Sequence, residues 1–255
     1  MKARLCTLAV LLSLSLRAFS QTQNPSSSPQ TSNDIDPLAL KVLKAATEPI
    51  REAKGFSFRA LVSMEHLGSN GQIITLFHLS EITMLRPDKL RVSFHGRGKE
   101  VELFYNAGQS VLYSPEAKLY TTIPSYKTID VTLNELQKKD VFIPVSNFLH
   151  SDPYQSLTKG LKSGYVIGKV MLFDQPVHHL AFTSADADWQ LWVIGGDKPL
   201  VRRLEVVDKR TPEHPRVVVD FLDWDLNANP RNDLFTFQKP ADAKEIELMK
   251  LSAED

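Results

Sequence analysis

Alternation of apolar and polar residues is the feature of this sequence that most restricts its fold. Phe56, Phe58, Ala60, Val62 and Met64 are separated by mostly polar residues. Because successive side chains of a strand point to opposite faces of a sheet, this pattern predicts a strand with one buried face. The "SNG" stretch at 69–71 predicts a hairpin turn, and residues 73–85 are predicted to form the second strand.

The same alternation predicts further strands on both sides of a central break. The first group continues at residues 90–94, 101–105, 111–113 and 119–123, and a second group follows at residues 165–173, 177–183, 189–194, 200–208, 216–226 and 234–237. Short turns and no helical crossover separate the strands of the first group, so the sheet is predicted to be antiparallel. The total is about eleven or twelve strands.

A helix is predicted to precede the first strand. Asp36-Pro37 supplies an N-cap and a first-turn proline. An apolar face follows at helical spacing, and Gly55 is expected to end the helix. Pro49 is expected to bend it. The residues of the apolar face are Leu40, Leu43, Ala46 and Ile50.

Two amphipathic helices are predicted in the break between the two groups of strands. Thr132 and Glu135 have the spacing of a capping box, which predicts a helix over residues 132–141. Pro144 is predicted to begin a second short helix with Val145, Phe148 and Leu149 on its apolar side. The fold class expected is therefore mainly β, with three helices.

The N-terminal residues predict a secretory signal peptide spanning 1–20. Lys2 and Arg4 precede an apolar run at 5–16, and the small residues Ala18 and Ser20 follow. The run is shorter than the about 20 residues of a spanning helix, so the mature chain is expected to have no transmembrane segment. We expect a periplasmic protein, with secretion as the alternative.

Composition divides the remaining chain and restricts its partners. Residues 21–35 predict a disordered linker, 36–249 one domain and 250–255 a frayed tail. Cys6 is the only cysteine and lies in the predicted signal peptide, so the domain is expected to hold no disulfide. Loss of Lys2, Arg4 and Arg17 leaves 27 basic against 30 acidic residues, about −3 in net charge, which argues against a nucleic-acid partner. We expect a monomer.

Four stretches of the chain resemble a family of predicted periplasmic proteins that carries a domain of unknown function. They are "FYNAGQSVLYSPEAKLY", "VHHLAF…DWQLWV", "GDKPLVRRLEVV" and "FLDWDLNANPRNDLFTFQKPADAKEI", within about residues 36–249. One departure is Val201, where the family is expected to carry a proline after Pro199-Leu200. The resemblance implies the fold of the LolA and LolB lipoprotein carriers, a strongly curved antiparallel sheet that forms an open half-barrel with helices on its concave side.

In LolA-type carriers the concave cavity takes up acyl chains, so the resemblance implies a hydrophobic ligand, either a lipid or a lipoprotein acyl chain. The helices within residues 132–152 are expected to gate the cavity. An interaction module whose helices fill the cavity is the alternative, and a hydrolase is a further one. The predicted cavity lining is Phe58, Leu76, Phe94, Val145, Phe148, Phe182 and Trp189.

Two histidines and two aspartates between 178 and 188 have the residue types of a metal site. His178 and His179 are adjacent in a predicted strand, so they face opposite sides and cannot both bind one ion. Asp186 and Asp188 belong to a predicted turn, and too few ligands converge for zinc. We therefore expect no metal and no cofactor.

Strand alternation also separates the two tryptophans of this region. Trp189 and Trp192 are predicted to lie on opposite faces of the sheet, so at most one of them can reach the concave interior. Core packing is the ordinary role of such a residue. Lining of an acyl-chain cavity is the functional alternative.

No pattern of catalytic residues is found, and the protein is not expected to be an enzyme. The chain has no G-x-S-x-G, H-E-x-x-H, Walker or dinucleotide motif. Asp223 and Asp225 are predicted to share a strand face, where solvated carboxylates are the ordinary interpretation.

Four arginines alternate with apolar residues. An arginine inside the half-barrel could hold the helices through hydrogen bonds to their carbonyl oxygens. The spacing instead places them on the outer face, where charge opposes aggregation. They are Arg59, Arg91, Arg202 and Arg203.

Overall fold

The structure, a computed structural model, describes residues 34–96, 99–139, 141–211 and 213–247. The predicted signal peptide, the linker up to residue 33 and the predicted tail lie outside the described residues. None of the helices in the described ranges has the length and the apolar content needed to cross a bilayer.

Within the described ranges, one sheet of twelve strands dominates the fold. The strands are β1 (Gly55–Leu67), β2 (Ile73–Leu85), β3 (Lys89–Gly96), β4 (Lys99–Asn106), β5 (Gln109–Ser114), β6 (Leu119–Ile123), β7 (Leu161–Leu172), β8 (Gln175–Ser184), β9 (Ala187–Ile194), β10 (Leu200–Asp208), β11 (Arg216–Asp225) and β12 (Lys244–Glu245). The helices are α1 (Pro37–Glu52), α2 (Ile129–Lys138), α3 (Ser146–Leu149) and α4 (Pro153–Thr158).

The two groups of strands meet at β1. Strands β1 to β6 form a meander towards one edge, and α2 to α4 then carry the chain to the opposite edge. Strands β7 to β11 return until β11 pairs with β1, which gives the order β12-β6-β5-β4-β3-β2-β1-β11-β10-β9-β8-β7. The end strands do not pair with each other, so the sheet is an open half-barrel and the predicted fold class is confirmed.

Two details of the predicted sheet are wrong. Residues 234–237 do not form a strand, because Asn232–Phe235 is a 3-10 helix and Phe237 packs on the rings of Phe104, Tyr113 and Tyr120 at 5.1 to 5.5 Å. Strand β12 pairs with β6 in parallel, so the sheet is not antiparallel throughout. The C-terminal segment therefore covers the outer face and edge of the first meander.

The predicted first helix is confirmed, with a different end. The Asp36 carboxylate accepts a hydrogen bond from the backbone N–H of Leu38 at 2.8 Å, and Pro49 lies inside the helix. The helix stops at Glu52, and Gly55 is instead the first residue of β1.

The helical insert differs from its prediction. Helix α2 begins after Thr128, whose hydroxyl accepts from Val131 N, so the predicted Thr132–Glu135 capping box is wrong. The second predicted helix begins later, at Ser146, and is one turn long. Helix α4 was not predicted, although Asp152-Pro153 repeats the N-cap and proline of α1.

The core lies between the inner face of the sheet and the helices. On the predicted apolar face of α1, Leu43, Ala46 and Ile50 are fully buried and Leu40 is half-buried. The inward residues of β1 are those that the alternation predicts. Rings from β1, β11 and α3 pack together near the middle of the sheet. The ring of Phe221 contacts those of Phe58, Phe148 and Trp224, and Phe58 also contacts Trp224, with ring centroids 4.3 to 5.5 Å apart. We call Phe58, Phe148, Phe221 and Trp224 the aromatic cluster.

Close packing at the start of β1 predicts the effect of one added methyl group. A Cβ at Gly55 would lie 2.4 Å from the backbone oxygen of Ala228, whereas a Cβ at Gly195 would have 3.7 Å to its nearest neighbour, His178 Nε2. Gly55→Ala should lower the free energy of urea unfolding by about 1–3 kcal/mol. Gly195→Ala is the control and should change it by less than about 0.5 kcal/mol. Equal stabilities would contradict the packing described.

Candidate functional site

The helices cover the concave face unevenly. Helix α1 packs against β7, β9, β10 and α4, so it occupies the half of the sheet formed by the second group of strands. The aromatic cluster fills the middle. Over β2 to β5 the cover is α2, which contributes the buried Ile129 and Leu133, and the segment at 141–145.

This thinner cover leaves an apolar cavity of about 370 Å³ between the sheet and the insert. Its floor is formed by inward side chains of β1 to β6 and its roof by α2 and the segment that follows. The lining residues are Val62, Met64, His78, Ser80, Ile82, Leu90, Val92, Phe94, Leu103, Tyr105, Ser110, Ile123, Pro124, Ile129, Thr132, Leu133, Leu136, Phe142, Ile143, Pro144, Val145 and Leu149.

The polar groups of this cavity carry no fixed charge. Its lining, among the residues described, includes no Asp, Glu, Lys or Arg. Burial raises the pKa of Tyr105, whose hydroxyl donates to the carbonyl oxygen of Tyr126 and lies 3.2 Å from Thr132 Oγ1. Burial also lowers the pKa of His78, which favours the neutral imidazole. The cavity therefore suits an uncharged apolar group.

Exposure of the lining residues identifies a closed and an open end. Ile82, Leu90 and Tyr105 are buried at the end where β2 turns into β3. At the other end Met64, His78 and Phe94 are half-buried, and Phe142 in the roof is 45% exposed. Access from solvent is therefore at the end near Phe142.

Arg86 connects the sheet to the insert at the closed end. Its Nη1 donates to the carbonyl oxygen of Leu149 at 3.1 Å, and its guanidinium carbon lies 5.3 Å from the ring centroid of Phe56. Burial lowers the pKa of Arg86, and its Nε and Nη2 have no hydrogen-bond partner among the described residues. Sequence patterning gave no signal for this contact, because Arg86 and Leu149 are 63 residues apart in the chain.

Asp130 ties the short helices to each other beside Arg86. Its carboxylate accepts hydrogen bonds from the backbone N–H of Ser151, at 2.9 Å, and from the Ser151 hydroxyl. The Nδ1 of His150 lies 3.8 Å from the same carboxylate. Burial is the largest cause of a lowered pKa at His150, with Asp130 opposing it and Arg86 and Lys159 adding to it. These contacts link α2 to the α3–α4 connection.

Of the seven predicted lining residues, Phe94 and Val145 line the apolar cavity. Phe58 and Phe148 belong to the aromatic cluster, and the rings of Phe182 and Trp189 stack on each other at 4.3 Å under the well-covered half. Leu76 lies beyond the open end and is half-buried. The structure thus brings two of the seven to this cavity, and a ligand contact by any of them stays a prediction.

The two histidines and the two aspartates from 178 to 188 do not converge. The ring of His179 stacks on that of Trp192, with centroids 4.2 Å apart. His178 instead lies beside Gly195, where an added Cβ atom would be 3.7 Å from its Nε2. Asp188 accepts from Lys209 Nζ at 2.7 Å. Among the described residues no group of three His, Cys, Asp or Glu side chains could hold a metal ion. Trp189 is buried and Trp192 half-buried, on the opposite faces that the alternation predicts.

Asp223 and Asp225 lie away from the apolar cavity. Asp223 has a φ of 52° in the irregular part of the β1–β11 pairing and forms an ion pair with Arg59. Asp225 accepts from the backbone N–H of Asn227 at 2.9 Å. Both aspartates are exposed and lie on either side of Trp224, whose ring packs on Phe58 and Phe221, so the predicted shared face with solvated carboxylates agrees with the structure despite the bulge.

The arginines singled out in the sequence are held by partners on the sheet. Arg203 donates twice to Asp220 at 2.8 Å, and Arg202 donates to the carbonyl oxygen of Phe221 at 3.0 Å. Both lie over the ring of Phe173, at 4.4 and 5.1 Å from its centroid. Arg91 lies 4.4 Å from the ring of Phe104 and pairs with Glu102. Arg59 is exposed and pairs with Asp223, whereas Arg91, Arg202 and Arg203 are half-buried and therefore face water only in part.

The comparisons with known proteins agree with the resemblance found in the sequence. The model of DUF2092, described as a predicted periplasmic protein, matches residues 39–249. No curated protein sequence matches the chain.

Solved structures resemble the chain at low sequence identity. LprF from Mycobacterium bovis is 10% identical with a TM-score of 0.48, over 83% of this chain and 100% of that chain. The lipoprotein LppX from Mycobacterium tuberculosis is 9% identical with a TM-score of 0.45, over 76% and 98%. A LolA superfamily protein from Nitrosomonas europaea is 10% identical with a TM-score of 0.36, over 78% and 97%. All three TM-scores lie below 0.5, so the function proposed below takes no support from them.

The lowered pKa of His150 predicts how stability depends on pH. The folded chain binds this proton less readily than the unfolded chain, whose imidazole has the ordinary value of 6.5. The free energy of unfolding should therefore decrease as the pH falls below that value. His150→Gln should reduce the decrease measured by urea unfolding between about pH 7.5 and about pH 5.5. The pKa of His78 is also lowered, so part of the pH dependence should remain in the His150→Gln protein. His66→Gln on the exposed end of β1 is the control, and an undiminished pH dependence in His150→Gln would contradict the assignment.

Proposed function

The chain belongs to the DUF2092 family of predicted periplasmic proteins, and from that premise we propose an exported, carrier-type protein that sequesters a hydrophobic ligand. The ligand is a lipid or the acyl chain of a lipoprotein. The single observation that supports this proposal best is the apolar cavity between β1–β6 and the helical insert.

The size and the walls of the cavity suit this class of ligand. Ligand sites in proteins typically occupy about 300–1,000 Å³, and the cavity of about 370 Å³ lies at the lower end of that range. Transfer of apolar surface from water is worth about 25 cal/mol per Å². A hydrocarbon chain gains this energy here without desolvating any carboxylate, lysine or arginine of the described lining.

Entry of a ligand requires displacement of the roof. The roof is α2 with residues 141–145. At the closed end α2 is attached by the hydrogen bond from Ile129 N to Pro87 O at 3.1 Å and by the contact of the Tyr105 hydroxyl with Thr132 Oγ1 at 3.2 Å. The aromatic cluster and α1 lie outside this roof. We assign the gate to α2 and the segment after it, which overlap the predicted range of 132–152 but begin three residues earlier, at Ile129. This gate can move while the other half of the core stays packed.

The alternative of an interaction module depends on helices that fill the concave face. A cavity of this volume beneath α2 favours the carrier over that alternative. The hydrolase alternative lacks a cavity carboxylate in the described lining, and Asp223 and Asp225 are engaged elsewhere.

Filling the cavity should abolish binding. Val92 faces the cavity, and the adjacent Ser93 points to the opposite face of β3. Val92→Phe should weaken the binding of a fluorescent single-chain fatty acid by at least about tenfold, since the ring occupies space that the chain needs. Ser93→Phe is the matched control and should bind within about twofold of the parent. If the parent binds no fatty acid, or if both variants bind equally well, the carrier proposal fails and an interaction module remains.

Export predicts a shorter mature protein. When the full chain is expressed in a Gram-negative host, the protein recovered from the periplasmic fraction should begin at Gln21. Intact mass measurement and N-terminal sequencing test this. A full-length protein confined to the cytoplasm would contradict the proposed export while leaving the binding proposal open to its own test.

A further inference from the structure

A second cavity lies on the other side of the roof segment. It has a volume of about 240 Å³ and is enclosed by α2, α3, α4 and the ends of β8, β9 and β10. About half of its lining residues are polar or charged, in contrast to the apolar cavity, and we call it the polar cavity. The polar lining residues are Gln137, Ser146, Asn147, His150, Ser156, Lys159, Ser184, Asp186, Asp208 and Arg210.

The two cavities share one wall. Leu133, Phe142, Ile143 and Pro144 line both of them. Two of the backbone hydrogen bonds at this wall, Val141 N to Leu136 O and Ser146 N to Ile143 O, stay within the helical insert. Among the described residues no backbone hydrogen bond joins the wall to the sheet. Displacement of the wall therefore connects an apolar space with a polar one.

The formal charges around the polar cavity balance. Arg210 and Asp208 form a two-bond ion pair at 2.9 and 3.0 Å, which holds the pKa of Asp208 below its usual range. Lys159, at the end of α4, and Asp186, in the β8–β9 turn, are exposed and have no ion-pair partner in the described part of the chain. One cation and one anion are thus available to a ligand on two elements that border the same cavity.

We infer that the two cavities form one binding site for a single-chain amphiphile with a zwitterionic head group. The inference rests on the proposed function and specifies its ligand. The hydrocarbon chain lies between β1–β6 and α2, and the head group lies between α4 and β8–β10. Lys159 pairs with the anionic part of the head group and Asp186 with its cationic part. A purely anionic head group gains the first contact but meets the carboxylate of Asp186, whereas the carboxylate of Asp208 is already paired with Arg210.

The division of the site follows from the chemistry of its walls. A phosphate or ammonium group in the apolar cavity would lose its hydration without a charged partner, which costs several kcal/mol. In the polar cavity the same groups remain near water and near side chains of opposite charge. The amphiphile therefore binds in one orientation, with its chain under α2.

Charge reversal at the rim tests the inference on the mature protein. The probes are a zwitterionic and an anionic lysophospholipid with the same acyl chain, used below their micelle concentrations, and binding is measured by displacement of a fluorescent fatty acid. The parent should bind the zwitterionic probe more tightly. Lys159→Glu and Asp186→Lys should each weaken its binding by about threefold, the scale of an exposed ion pair. Asp186→Lys should in addition strengthen binding of the anionic probe. Lys162→Glu on the exposed part of β7 is the control and should change neither affinity.

The Val92→Phe protein separates the two proposals. Loss of both lysophospholipids in Val92→Phe, together with unchanged affinities in Lys159→Glu and Asp186→Lys, would overturn the inference and leave the carrier function standing. Undiminished binding in Val92→Phe would instead remove the apolar cavity from the site, and both proposals would fail.

Discussion

A curved sheet of twelve strands exposes more apolar concave surface than its helices can cover, and the rest of the structure depends on that imbalance. Helix α1 has sixteen residues and covers the second group of strands, whereas the one-turn α3 supplies Phe148 to the aromatic cluster. Only α2 and a short segment extend over β2 to β5. Because residues that face a cavity lose their packing contacts, this half of the domain is less tightly held than the other.

Strand β1 connects the thinly covered half of the sheet to the well-covered half. It pairs with β2 along its whole length and with β11 along most of it, so each meander begins or ends on this strand. Its side chains also enter both environments, since Phe58 belongs to the aromatic cluster and Val62 lines the apolar cavity. A displaced roof over β2 to β5 therefore changes the contacts of one end of β1 without disturbing the other.

Strand positions could be predicted from the sequence because strand alternation is a local property. The bounds of β2, β6 and β10 agree with their prediction to the residue. Residues 234–237 show the limit of this approach. They have the alternation of a strand, but the ring of Phe237 packs on the outer face of β4 to β6, and only the folded chain brings those surfaces together. The signal for α4 was present at Asp152-Pro153 and was overlooked.

The site was harder to predict than the fold for a similar reason. Alternation identifies the inward residues of every strand, but it contains no information on which strands the helices cover. Phe58, Phe148 and Phe182 are inward and aromatic, as expected of a lining residue, yet they lie where helical cover is thick, and Trp189 lines the polar cavity rather than the apolar one. Arg86 shows a second limit of the same kind. Its hydrogen bond to the Leu149 carbonyl joins residues that are 63 positions apart, and its Nε and Nη2 have no partner among the described residues. A buried donor without a partner costs about 1–3 kcal/mol, and no local sequence pattern reveals where such a cost is accepted. Because this contact lies at the closed end and reaches α3, displacement of α2 and residues 141–145 at the open end leaves it in place.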